Sequence, residues 1–212
     1  MQAEGQRNYG EAIQRFEPAA KVDPKFAELQ FRWGRCLLGL TNITAAREHF
    51  QFACDSDALP FRTDSRLNDI IKAVGRQHTS TNLVLLDASA ALETKAASVT
   101  LGTRHSTLDT VGILGKETFY EHVHLTFDGN YRLALAWAMQ IEAFLPPTIK
   151  NRTAPSWGTQ ETCERQLGLT DQKRALVLQS IIKRLEQPPF SNQSNNNERR
   201  AELRAQEREL HR

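Results

Sequence analysis

Apolar and polar positions alternate with a helical period through the first third of the chain. Ala12, Phe16 and Ala19 lead into Asp23-Pro24, and Phe26, Leu29, Trp33 and Leu37 carry a second stripe across Phe26 to Leu40, with Gly34 and Leu38 beside it. Ala46, Phe50, Ala53 and Asp57 repeat Ala12, Phe16, Ala19 and Asp23 with a shift of 34 residues. The Asp23-Pro24 pair ends one helix and starts the next, because proline is tolerated only in a first helical turn, and Pro18 is expected to interrupt the first helix. Pro60 closes this segment. Leu67, Ile70, Ile71 and Val74 then restore a helical period up to Gly75.

Beyond Gly75 the pattern changes. Asn82-Leu83-Val84-Leu85-Leu86-Asp87 is a continuous apolar run between polar neighbours, which predicts a strand buried on both faces of a parallel sheet, followed by a small helix from Ala88 to about Ala97. Residues 98–112 read as a loop with His105 as a surface histidine. Tyr131 to Phe144 reads as an apolar helix. Pro146, Pro147, Pro155 and Gly158 mark a linker over 146–160. Helical spacing returns from Glu161 to Leu185, and Thr170-Asp171 predicts a helix start. From Pro188 the composition shifts to Ser, Asn and Gln, a flexible connector. The stretch from Glu198 to Arg212 predicts a solvated charged helix, with a coiled coil or partner contact as the other reading.

Composition narrows the function classes. With 212 residues the chain is long enough for a buried core, and a net charge of +2 from mixed charges, 27 basic and 25 acidic, gives no nucleic-acid footprint. No stretch approaches the roughly 18 apolar residues of a membrane helix. No leader pattern follows Met1; that favours the cytoplasm if Met1 is a true start and is silent otherwise. Cys36, Cys54 and Cys163 have neither zinc nor disulfide spacing and are expected as buried thiols.

Candidate chemistry lies in Phe119-Tyr120-Glu121-His122-Val123-His124-Leu125-Thr126-Phe127-Asp128-Gly129-Asn130-Tyr131. A carboxylate three residues before a histidine can accept a hydrogen bond from one ring nitrogen, fix the tautomer and stabilise the imidazolium. The other nitrogen is then left as a general base. Glu121 and His124 are the candidate catalytic residues. In the alternative reading His124 caps a helix starting near Asp128 and Glu121 is merely exposed. His122 and His124 also form a His-x-His pair that could ligate a metal with Glu121, Asp128 or Asp87, but no metal or other cofactor is assigned.

Two families are resembled. The 34-residue repeat, with Gly34, Ala46 and Ala53 where paired helices approach and Trp33 and Phe50 filling between them, resembles the tetratricopeptide repeat over residues 1–58. The block Glu-x-x-His-Leu-Thr-x-x-Gly-Asn-Tyr resembles the last sequence block of the SGNH (GDSL-like) hydrolases, with Glu121 where that family usually has Asp and His124 on its general base. The order of repeat, Arg-x-Asp-Ser-Arg-Leu-Asn helix, Val-Leu-Leu-Asp strand and histidine block is similar to that of bacterial proteins in which tetratricopeptide repeats sit inside an SGNH-like domain.

The resemblance implies an α/β chain: tetratricopeptide-like hairpins (1–58), the C-terminal part of an SGNH-like three-layer α/β/α domain (59–146), a helical extension (147–187) and a polar charged tail (188–212). It implies the base-bearing part of an ester hydrolase or acyl transferase, acting on carbohydrate or lipid acyl esters in the complete protein. The family's Gly-Asp/Asn-Ser nucleophile block has no counterpart here. The Asp-Ser pairs, Asp55-Ser56 and Asp64-Ser65, follow neither a strand nor a glycine. Without oxyanion donors, each worth about 2.7–4 kcal/mol, the chain alone is expected to be inactive or nearly so. The rival expectation is a tetratricopeptide-type module that docks a protein partner, its hydrolase remnant serving as scaffold. Residues 1–58 themselves read either as a peptide-docking surface or as a helical insertion leaning on a larger domain, because a free-standing array needs about three repeats.

Overall fold

A computed structural model of the chain describes residues 2–80, 83–93, 112–150 and 157–211. It divides into two compact units, Met1–Lys150 and Asn151–Arg212.

The first unit opens with α1 (Gln2–Gly5), α2 (Tyr9–Val22), α3 (Ala27–Gly39) and α4 (Ile43–Asp55). Asn8 and Asn42 cap α2 and α4 by accepting the amides of Glu11 and Ala45. The two caps are themselves 34 positions apart, so the repeat extends to the residues that start the helices. Pro18 lies inside α2 at an exposed position and does not end the helix. Successive helices pack as hairpins. Ala12, Phe16, Leu29 and Cys36 form one buried cluster with Tyr9, Ile13, Ala20 and Trp33 against it. Between α3 and α4, a Cβ added at Gly34 would come within 2.8 Å of the Phe50 ring, so glycine allows this approach. His49 stacks on Trp33 at 4.6 Å and bonds through Nδ1 to Gln30 Oε1 at 2.6 Å, while the Gln30 amide donates to the Pro24 carbonyl at 2.7 Å.

α5 (Ser65–Gln77) follows, capped by Asp64, then α6 (Ala88–Glu93), α7 (Phe127–Phe144) and α8 (Pro147–Lys150). The sheet expected after α5 is absent from the described residues. The α/β, three-layer α/β/α expectation is therefore overturned in favour of a helical chain. The described part of the run expected as a buried strand, residues 83–87, forms no strand. Val84, Leu85 and Leu86 make no backbone hydrogen bond to any described residue, and Leu83 makes only an isolated bridge to Ser80. A strand exists through its neighbours, and an apolar run cannot supply them alone. Leu83 and Val84 are exposed, whereas Leu85 packs against Gly75 of α5 and Asp87 pairs with Lys72 at 2.9 Å. Asn82 and the predicted loop with His105 fall outside the described residues.

The apolar stripe of α5, Leu67, Ile70, Ile71 and Val74, is about half exposed, and so are Trp137, Ile141 and Phe144 along one side of α7. Arg132 of α7 ties the helix to α6 by donating to the Leu92 carbonyl. No described helix is long and apolar enough to cross a membrane. Cys36 is buried, and Cys54 and Cys163 are partly so, all three free.

The second unit holds α9 (Gln160–Gln166), α10 (Asp171–Leu185), a single 3-10 turn (Phe190–Asn192) and α11 (Asn196–Leu210). Thr170 caps α10 as the sequence predicts, accepting the Lys173 amide at 3.3 Å. The charged stretch expected as a solvated helix packs on α10. Leu203 is fully buried, facing a side of α10 whose Ala175, Leu178, Ile181, Ile182 and Leu185 are also buried. Asn196 closes the turn, its amide donating to the carbonyls of Leu185 at 2.9 Å and Phe190 at 2.8 Å. Arg200 and Arg204 of α11 also pair with Glu186 at 2.7 Å, and Gln179 of α10 donates to Glu207 at 2.6 Å, so leucine, asparagine and charged groups together seat the helix.

Candidate functional site

The residues ahead of α7 form a closed loop. Thr126 donates its amide to the Thr118 carbonyl at 2.9 Å, and Tyr120 donates its amide to the His124 carbonyl at 2.8 Å. Phe119 and Leu125 face each other in an isolated antiparallel bridge. Thr118 and Tyr120 are buried, and the Tyr120 ring meets Phe127 edge-on at 6.0 Å. At the helix end, the Thr126 hydroxyl donates to the Glu117 carbonyl at 2.7 Å and accepts the Gly129 amide at 3.0 Å. Thr126 is thus the cap of α7, so the reading of His124 as that cap is corrected. Gly129 must be small. A Cβ there would lie under 3.0 Å from the Thr118 carbonyl oxygen and 3.2 Å from Leu125 Cδ2.

This frame holds the two candidate residues together. His124 Nδ1 is hydrogen-bonded to Glu121 Oε1, and Glu121 Oε2 accepts the Val123 amide at 2.8 Å. The Glu121 side chain is 2% exposed and that of His124 is 45% exposed. Burial alone would raise the Glu121 carboxyl, but the hydrogen bonds from His124 and the Val123 amide, with the two neighbouring histidines, hold it below its ordinary value. An ionised carboxylate only accepts, so the proton of the neutral His124 ring sits on Nδ1 and Nε2 carries the lone pair. The reading of Glu121 as merely exposed is corrected by its burial.

His122 lies beside the same carboxylate, nearer its other oxygen. Its side chain is 13% exposed, its Nδ1 lies 3.9 Å from Glu121 Oε2, and its ring packs on Phe61 with centroids 4.7 Å apart. Burial pulls the His122 ring below its ordinary pKa, with Glu121 opposing and Arg62 reinforcing the shift. Among the described residues no group of three or more His, Cys, Asp or Glu side chains is placed to hold a metal. The other carboxylates considered as ligands are engaged, Asp87 with Lys72 and Asp128 with Arg132 at 3.6 Å.

No protein-family model matches this chain, and no curated protein or solved structure was found to match it. The site therefore has to be read from its own chemistry. Neither Ser56 nor Ser65 lies on a strand-to-helix turn. Ser56 ends α4, and Ser65 begins α5 with its hydroxyl donating to Asp55 Oδ2 at 2.8 Å. Sequence reasoning missed the groups that build the frame, Thr118, Thr126 and Gly129, and the Phe61 contact. Thr126 was legible as a capping residue three positions before Gly129. Phe61 lies 61 residues from His122 in sequence and left no local signal.

Proposed function

We propose that Glu121 and His124 are the acid-base pair of an acyl-transfer centre of the ester hydrolase or acyl transferase class. The observation that carries this reading is the buried Glu121 carboxylate on Nδ1 of a half-exposed His124. A pair so arranged accepts a proton at Nε2 from a hydroxyl nucleophile, and the carboxylate then stabilises the imidazolium through a charge-assisted hydrogen bond. As the acyl intermediate forms, the same ring gives that proton to the leaving alkoxide; in the deacylating half it takes a proton from water and returns it to the nucleophile's oxygen.

In this proposal the nucleophile and the oxyanion donors come from outside the described residues. The substrate is an acyl ester, of carbohydrate or lipid, in the complete protein, and the chain alone is inactive or nearly so. The reading rests on the pair and not on a sheet. The test is His124→Ala in the longest available form of the protein, assayed on simple aryl acyl esters. Loss of hydrolysis with unchanged folding supports the pair. Unaltered activity would rule His124 out as the base.

A second reading has its own observation, the close hairpin packing of α3 on α4 at Gly34. Here α2 to α4 are tetratricopeptide-type hairpins that dock a protein partner, and the histidine loop is scaffold. Binding that survives His124→Ala and fails on disruption of α3 would favour it.

A further inference from the structure

His122 is a titratable group beside the pair for which the proposed chemistry has no use. Its ring lies beside the Glu121 carboxylate, with Nδ1 at 3.9 Å from Oε2, and packs against Phe61 at a tilt of 41°. Phe61 belongs to the segment joining α4 to α5, so the covering group comes from the helical-hairpin region and not from the histidine loop. Glu121 is consequently sealed although its partner His124 is half open.

We propose that His122, clamped by Phe61, is a positioning residue that excludes water from the Glu121 carboxylate and thereby holds His124 in the Nδ1–H tautomer. The inference rests on the reading of Glu121 and His124 as an acid-base pair, and it deepens that reading by naming what keeps the pair in register. Water reaching Glu121 would compete for both carboxylate oxygens and raise the local dielectric, and each effect weakens the bond to His124. Burial disfavours the His122 cation although Glu121 opposes that shift, so the ring's bulk against the carboxylate is what the proposal draws on. The Val123 amide on Oε2 holds the carboxylate from the chain itself, and the His122 ring lies 3.9 Å from that same oxygen.

The experiment is nitrogen-15 NMR of the ring nitrogens of His124 in the full chain, under conditions where the ring is neutral. The wild type is expected to show one tautomer, with the proton on Nδ1. His122→Ala is expected to lose it in favour of a mixture with the Nε2–H form, which a free imidazole prefers. His122→Phe, which keeps an aromatic wall without a titrating nitrogen, is expected to retain the single tautomer. Phe61→Ala tests the clamp from the other side and is expected to give the mixture; Phe61 is half exposed, so its loss leaves the fold standing.

A single Nδ1–H tautomer in folded His122→Ala overturns the proposal. If His122→Ala does not fold, an unchanged tautomer in Phe61→Ala overturns it instead. A loss of tautomer in His122→Phe equal to that in His122→Ala also overturns it, since a wall would then be insufficient. The readout needs no substrate, so a wrong role for His122 and a wrong chemistry for His124 give separate results.

Discussion

Replacing Gly129 by alanine sets two effects of opposite sign against each other at the base of the histidine loop. Gly129 stands in the first turn of α7, where helix propensity alone makes alanine better than glycine by about 1 kcal/mol. The added Cβ would lie under 3.0 Å from the Thr118 carbonyl oxygen, nearer than real Cβ atoms come. That oxygen belongs to the backbone and accepts the Thr126 amide at 2.9 Å, so it cannot rotate away without breaking the bond that closes the loop. Overpacking of this kind costs typically about 1–3 kcal/mol, and with a backbone atom as the obstacle the upper part of that range applies. The net result is a loss of about 1–2 kcal/mol, a factor of roughly 5–30 in the local opening equilibrium. Hydrogen exchange at the Thr126 and Tyr120 amides reads that factor directly, since both bonds span the loop. Exchange slowed or unchanged in Gly129→Ala would refute the reasoning and show that the loop has slack.

Other predictions concern the core and pH. Leu203→Ala removes the fully buried contact of α11 and should destabilise the second unit by about 2–5 kcal/mol, read as faster amide exchange in α10 and α11; a change under about 0.5 kcal/mol would mean that the charged helix is held otherwise. His49 and His122 both lie below their ordinary values because burial disfavours the cation. Below about pH 6.5 the unfolded chain therefore binds protons that the folded chain refuses, and stability falls as pH drops from there toward the folded values. Glu121, held below its ordinary value, adds stability that is complete above about pH 4.3 and is lost as pH falls through its folded value. Urea midpoints at pH 7 and pH 5.5 should show the histidine loss, and His49→Phe should reduce it; an equal slope in that variant would refute the assignment.

Much of the helical order was legible because it is local. The 34-residue repeat places Ala12, Phe16, Ala46 and Ala53 on buried faces, and Thr170 caps the helix that its spacing predicts. Ala19 follows the same spacing yet is exposed, because burial depends on where the next helix lies. The strand was misread for a related reason. Four apolar residues in a row say that a segment wants cover, and they do not say that neighbours with free amides are at hand. The pairing of Glu121 with His124 was legible as a three-residue spacing, but the burial of one and the exposure of the other left no local signal. The seating of α11 was missed because a pattern search weighs the many charges and overlooks a lone Leu203.

The half-exposed stripes on α5 and α7 have a consequence for mutational tolerance. In this chain Leu67, Ile70, Ile71, Val74, Trp137 and Ile141 have about half of their surface in water, so polar replacements there forfeit about half of what full burial would cost and improve solubility. Chance substitution would therefore erode both stripes unless something outside the described residues makes them costly to change. A saturation scan scored once for solubility of the isolated chain and once for fitness in the cell would separate the two pressures. Positions free to vary in the first and fixed in the second would outline the missing contact one residue at a time.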